Sequence, residues 1–165
     1  MESFESLYNA FFKRVYAYVL LRVRNAAEAE DICACLWRKA YEKRELFDPE
    51  KGEFSQWIFA VARNEVNMYW RWSRLKGFFS LTQAEDMLPL KEPGPFQAAE
   101  EEELKRRLLN AAQKLSSRER DLAALKFYSG LNNRQIAQVT GLSESNVGTL
   151  LYRAVRKMRK DMEDL

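Results

Sequence analysis

The tightest constraint on this chain lies near its C-terminus, where residues 132–160 read NNRQIAQVTGLSESNVGTLLYRAVRKMRK. Asn132 is suited to cap a helix, and Gln135 stands three residues on, where a capping-box side chain reaches back. Ile136 and Val139 share one face of the short helix that follows. Ala137 offers the small side chain needed where two helices cross closely. Gly141 is placed for the left-handed backbone that ends that helix, and Leu142 fills the corner. Ser143 then caps a second helix, with Glu144 near its positive end. Val147, Leu150, Leu151 and Ala154 form one apolar stripe at helical spacing. An ordinary helical hairpin satisfies the caps and the glycine. The joint spacing of Ala137, Gly141 and Val147, with the basic continuation, favours a helix-turn-helix that binds duplex DNA.

The charge distribution agrees. Residues 104–165 hold 13 basic and 6 acidic side chains, a net +7, against +1 over residues 1–75 and −5 over residues 76–103. Positive charge is thus concentrated where phosphate contact is expected. The chain has no His, so the usual general base and the commonest metal ligand are missing. The two cysteines, Cys33 and Cys35, lie two apart in a helical pattern and point to different faces, which disfavours a shared disulfide or metal site. Both read as small packing residues. No metal, cofactor or small-molecule substrate is expected. With no apolar run long enough to span a membrane and no signal-peptide pattern at the start, the expected location is the cytoplasm.

In chain order, residues 3–24 read as a long amphipathic helix. Phe4, Leu7, Tyr8, Phe11, Phe12, Val15, Tyr18 and Val19 form its apolar side, with Arg14, Arg22 and Arg24 on or near other faces and Asn25 ending it. A second helix is predicted from about 26 to 46, with Glu28, Glu30 and Asp31 in its first turns and Ile32, Leu36, Trp37, Ala40 and Tyr41 on its apolar side. Pro49 and Gly52 mark a loop. Ser55 is predicted to cap a third helix that runs to about 74 and mixes Trp57, Phe59, Tyr69, Trp70 and Trp72 with Arg63, Asn64, Asn67, Arg71 and Arg74. Such a mixture builds either a core with a solvated basic edge or a surface that stacks on unpaired bases, and composition leaves both open.

Residues 76–97 lose helical periodicity and carry Gly77, Pro89, Pro93, Gly94 and Pro95. They read as an acidic linker with Phe78, Phe79, Leu81, Met87, Leu88 and Leu90 as apolar points of attachment. Helix resumes at about 98, with a stripe of Leu104, Leu108, Leu109, Ala112 and Leu115, and Ser116 with Glu119 forms a second capping box. The expected fold is all-α. Two small helical domains, 1–75 and 98–165, are joined by a flexible linker, and the second carries the helix-turn-helix.

Taken together these segments resemble the extracytoplasmic-function (ECF) sigma factors, the small sigma subunits of bacterial RNA polymerase. AED at residues 29–31 is similar to the family's polymerase-binding segment, and WIFAVARNEVNMYWR at 57–71 to the segment that melts and reads the −10 element. LSSRERDLAALKFYSGL at 115–131 is similar to the start of the family's second conserved domain, and residues 132–160 to its −35-reading helix-turn-helix. The resemblance spans nearly the whole chain.

It implies core RNA polymerase and promoter DNA as partners. An anti-sigma protein that covers both domains is a common third partner, and a membrane-bound one would hold the chain at the membrane. Polymerase contact would fall to Glu30, Asp31 and Trp37. Unpaired −10 bases and their phosphates would fall to Arg63, Asn64, Asn67, Trp70, Arg71 and Arg74, with the loop that precedes them. In the −35 helix Ser145, Asn146, Thr149, Tyr152 and Arg153 would face the major groove, while Arg134 and Arg156 would hold phosphate.

Ala34 and Cys35 stand where the family has Gln and an acid, Met68 and Trp72 replace common polar residues, and Gly148 and Leu150 replace basic ones. Two other readings compete. A helix-turn-helix regulator that never joins polymerase explains the C-terminal half but not the Trp/Asn/Arg helix. A hydrolase built on Glu28, Glu30 and Asp31 has no His, and the helix start already accounts for those acids.

Overall fold

The first helix, α1 (Phe4–Val23), is the element against which most of the chain is assembled, and its sequence explains why. Its length exceeds what one partner would cover, and its buried positions Val15, Tyr18 and Val19 lie in its second half. In the computed structural model, which describes residues 2–75 and 96–164, α1 packs on α2 (Ala26–Glu42), on α3 (Phe54–Leu75) and also on α5 (Ser117–Ser129). Helix α4 (Phe96–Gln113) packs on α7 (Glu144–Glu163), as do α5 and the short α6 (Asn133–Thr140). Among the described residues every regular element is helical.

The N-terminal half is a three-helix unit. Leu36 and Ala40 of α2 and Ile58, Phe59, Ala62 and Val66 of α3 close over Val15 and Val19. Phe47 and Phe54 meet edge to face with ring centroids 5.4 Å apart, and Phe11 lies 5.3 Å from Phe54. These rings seal the end of the unit beneath the loop that carries Pro49 and Gly52. The C-terminal half encloses Leu122 and Leu125 of α5, Ile136 of α6, and Val147, Leu151, Ala154 and Met158 of α7. No described helix is long and apolar enough to cross a membrane.

Several expectations are corrected in detail. α1 ends at Arg24, which takes a left-handed φ of 61°, and Asn25 instead caps α2, its Oδ1 accepting from the Glu28 amide at 3.0 Å. α2 stops at Glu42, and a 3-10 turn (Arg44–Leu46) completes the segment. α3 begins at Phe54, and Ser55 donates its hydroxyl to the Ser129 carbonyl (2.5 Å) rather than capping its own helix. Leu104 and Leu108 are exposed, so the buried contact here is carried by Ala111 and Ala112 in the last turn of α4 and by Leu115 just beyond it. Arg22, placed by the sequence on an outer face, is buried. The apolar residues Phe78, Phe79, Leu81, Met87, Leu88 and Leu90 lie outside the described residues.

The C-terminal caps are as expected. Asn132 and Gln135 form a reciprocal box, with hydrogen bonds of 2.9 and 3.0 Å. Ser116 and Glu119 form the other. Burial would raise the Glu119 carboxyl, but the Lys157 ammonium (2.9 Å from both oxygens) and the Ser116 amide outweigh it and hold the group below its ordinary range. That ion pair ties α7 back to the start of α5.

Two glycines of the helix-turn-helix give opposite predictions for one substitution. Gly141 sits at φ +76° with open space around a built Cβ, so Gly141→Ala should lose about 1–2 kcal/mol through backbone strain alone. Gly148 lies inside α7, and an added Cβ would meet Asn133 only at 3.8 Å. Gly148→Ala should gain about 0.5–1 kcal/mol. Urea unfolding of the two variants checks the pair of signs.

Candidate nucleic-acid interface

Helix α7 presents one face to the protein and one to solvent. Ser143 caps it, its Oγ accepting from the Asn146 amide at 3.1 Å, and Glu144 lies in the first turn. Val147, Leu151, Ala154 and Met158 recur at helical spacing and are buried. The opposite side is exposed along its whole length and carries Ser145, Asn146, Thr149, Tyr152, Arg153 and Arg156, all the α7 residues the sequence nominated. Arg134, on α6, is exposed too. No described carboxylate pairs with Arg134, Arg153 or Arg156, so their charges are available to phosphates or base edges. Thr149 donates its hydroxyl to the Ser145 carbonyl (3.1 Å), which leaves it able only to accept. Gly148 and Leu150 are half-buried beside this surface and add no charge to it.

The second nominated surface, on α3, is in a different state. Arg63, Asn67, Trp70, Arg71 and Arg74 recur at i, i+4, i+7, i+8 and i+11, so they form one stripe. Asn64 stands beside it and is exposed, as are Arg71 and Arg74. Asn67 and Trp70 are half-buried. The inner end of the stripe is engaged by other parts of the chain. Arg63 Nε donates to Asp121 Oδ2 at 2.8 Å, and Asn67 Oδ1 accepts from Arg22 Nη2 at 3.1 Å.

Asp121, on α5, is the centre of that arrangement. Its side chain is 7% exposed, and it accepts from Tyr18 Oη at 2.7 Å and from Arg22 Nη1 at 3.0 Å besides Arg63. Arg22 Nη1 also donates to Tyr18 Oη at 2.8 Å. Burial, reinforced by the neighbouring carboxylate, pushes the Tyr18 phenol far above its ordinary range, so it stays a donor. Around this centre Arg14 donates from Nε to the Tyr128 carbonyl (2.7 Å) and from Nη2 to the Ser129 carbonyl (2.6 Å). Gln56 of α3 donates to Gln138 of α6 at 2.9 Å. The C-terminal half therefore lies along α1 and one edge of α3.

Asp121, Tyr18, Arg22 and Arg14 were missed by sequence reasoning. A signal existed: Tyr18 brings a hydroxyl to the apolar side of α1, four residues before Arg22, and Asp121 stands next to Leu122 on α5.

Of the three residues nominated on α2, Glu30 and Asp31 are exposed. Trp37 is buried and is corrected to a core residue: its ring meets Tyr8 at 4.8 Å and Phe4 at 6.1 Å, both edge to face. Cys33 is also buried, its thiol pushed up to about 12 by burial and then by Glu30, while Cys35 lies 3.7 Å from a Glu65 oxygen; both are free thiols.

Residues 7–74 match the sigma-70 region 2 family, and residues 105–158 match sigma-70 region 4. The chain is 30% identical over 165 residues to the ECF RNA polymerase sigma factor BldN of Streptomyces coelicolor, covering 99% of this chain and 61% of that protein. It is 28% identical to the ECF sigma factor RpoE of Cereibacter sphaeroides, covering 97% and 86% respectively. Its fold is similar to that of the sigma factor RpoE solved with the anti-sigma factor NepR from Bartonella quintana, with a TM-score of 0.78, 18% identity, and coverage of 97% and 96%.

Two outcomes follow for the two surfaces. Arg156→Ala should weaken binding to all duplex sequences alike and lower the slope of log affinity against log salt by about 1, measured by fluorescence anisotropy. Asp121→Ala leaves Arg22 and Arg63 facing a dry contact, a cost of ~3–5 kcal/mol if the contact stayed shut. Separation of the halves returns both groups to water. The variant should therefore keep its helical circular dichroism while its radius of gyration in small-angle scattering increases.

Proposed function

The chain belongs to the sigma-70 family of RNA polymerase sigma factors, in its extracytoplasmic-function group, and on that premise we propose how its two halves divide the work of starting transcription. The observation that carries the reading is the presence of two unlike nucleic-acid surfaces, one on each half. The exposed face of α7 suits the major groove of a −35 element: Asn146 and Arg153 address base edges, and Arg134 and Arg156 hold phosphates. Ser145, Thr149 and Tyr152 complete that face. The stripe of α3 suits unpaired −10 bases. Trp70 offers a stacking ring, Asn64 and Asn67 offer amides, and Arg63, Arg71 and Arg74 offer guanidinium groups. Taking a base out of the stack costs a few kcal/mol, and stacking on aromatic rings returns ~1–3 kcal/mol per base. Capture together with polymerase contacts opens the duplex, with no chemical step.

Polymerase is held through the exposed acids Glu30 and Asp31 on α2. The two promoter elements lie 25 base pairs apart by name, about 85 Å of duplex. A folded chain of this length is roughly 40 Å across. The two halves must therefore part to read both elements, and the twenty residues 76–95 reach up to ~70 Å when extended. Arg63 and Asn67 are released at the same moment. The packed arrangement also suits an anti-sigma partner such as the one bound to the Bartonella sigma factor. The chain acts in the cytoplasm, and a membrane-bound partner of that kind would hold it at the membrane. A regulator that never joins polymerase leaves the α3 stripe without a role.

Run-off transcription with core polymerase on a library of promoter-like fragments tests the reading. Specific transcripts support it, and duplex binding without any transcript counts for the regulator. Asp31→Arg should lower affinity for core polymerase at least tenfold in a pull-down titration while leaving helicity unchanged. Trp37→Ala should behave differently, losing ~3–5 kcal/mol of stability as a core truncation.

A further inference from the structure

A cleft of about 670 Å³ opens where the two halves meet, and among the described residues that line it every charged side chain is an arginine. Arg71 and Arg74 at the C-terminal end of α3 form one wall with Trp70, Ser117 and Arg120 at the start of α5 form the other, and Arg22 lies beneath. Arg22 and Arg63 share the Asp121 carboxylate. For Arg71, Arg74 and Arg120 no described carboxylate does the same, nor for the adjacent Arg24. Arg120 is fixed in place by the carbonyls of Ala112 (3.0 Å), Gln113 (2.7 Å) and Leu115 (3.1 Å), which orient its charge without neutralising it. Burial, and then repulsion from Arg24 and Arg22, draws its guanidinium down to about 10.

We propose that this cleft binds a small anion with more than one phosphoryl group, and that the bound anion holds the two halves together. Guanidinium groups match phosphate oxygens in paired, forked contacts, and several arginines that share no described carboxylate call for more charge than a single carboxylate carries. The volume exceeds one phosphate group and accommodates two or three in a chain. The site needs both halves, because α3 alone supplies only Arg71 and Arg74. Those two residues also serve the promoter reading above, so the anion and unpaired DNA compete for them. An occupied cleft keeps the −10 surface shut, which makes the abundance of such an anion an input to initiation.

Ser117→Asp separates this inference from the promoter reading. Ser117 is exposed, and an acid in the first turn of a helix is favourable, so the variant folds. It sets a carboxylate into the cleft without touching a residue assigned to DNA. The full chain is titrated with inorganic tripolyphosphate in a calorimeter at fixed ionic strength. The expected result is saturable one-to-one binding, a raised Tm, and weaker capture of unpaired DNA when the anion is present. Ser117→Asp should weaken anion binding at least tenfold, and DNA capture and run-off transcription by this variant should no longer fall when tripolyphosphate is added.

Equal binding by the variant and the wild type would overturn the proposal, since the anion would then sit on α3 alone. So would a titration that never saturates. Binding that emerges only after Glu85, Asp86 and Glu92 are changed to amides would overturn it as well, because the cleft would then belong to the chain's own acids.

Discussion

A carboxylate removed from water must be met by donors, and in this protein one carboxylate is met from three directions. Asp121 draws Tyr18 and Arg22 of α1 and Arg63 of α3 onto α5. Without those donors burial of the charge would be too costly to sustain. With them, the helix that leads into the helix-turn-helix is fixed against the half that carries the other nucleic-acid surface. Other seam contacts, Arg14 to two carbonyls, Arg24 to Gln113, Ser55 to Ser129 and Gln56 to Gln138, are arranged around that point. Interactions of this kind give geometry more than stability. Their worth depends on staying dry, and they weaken together once water enters.

The two surfaces differ in readiness for this reason. On the exposed face of α7, Arg153 and Arg156 have no ion-pair partner among the described residues, whereas the neighbouring Lys157 is held by Glu119. The α3 stripe runs into the seam, and its inner members already serve as partners to Asp121 and Arg22. Duplex contact by α7 needs no rearrangement of the protein. On the reading proposed above, single-strand contact by α3 needs the halves to part first, because Arg63 and Asn67 are engaged within the chain.

What could be read from the sequence was what local spacing determines. Caps at Asn132, Ser116 and Ser143, the turn at Gly141 and the stripe Val147, Leu150, Leu151 and Ala154 depend on residues three or four apart, and each is where the pattern put it, with Leu150 half-buried at the stripe's edge. The exposed face of α7 followed as the complement of that stripe. What could not be read was the seam. Asp121 lies 103 positions from Tyr18 and 58 from Arg63, and periodicity carries no information across such separations. Trp37 shows a related limit: its place on the apolar side of α2 is compatible with core or contact, and only the rings of Phe4 and Tyr8 decide for core. The α4 stripe shows the converse, since Leu104 and Leu108 keep helical spacing yet are exposed among the described residues.

The C-terminal end of α5 carries one more implication. Its last carbonyls, at Tyr128 and Ser129, are capped by Arg14 of α1, and Gly130 turns the chain at φ +72° directly beside that guanidinium. A Cβ at position 130 would stand 3.1 Å from Arg14 Nη2. Positions 14 and 130 are therefore not independent in the genetic sense, although they lie in different halves of the molecule. A side chain at 130 meets both the left-handed backbone and the arginine, and a shorter residue at 14 relieves only the second conflict while uncapping the helix. Drift at either position is constrained by the other, and an exchange of C-terminal halves between related chains would carry position 130 away from the residue it is fitted to.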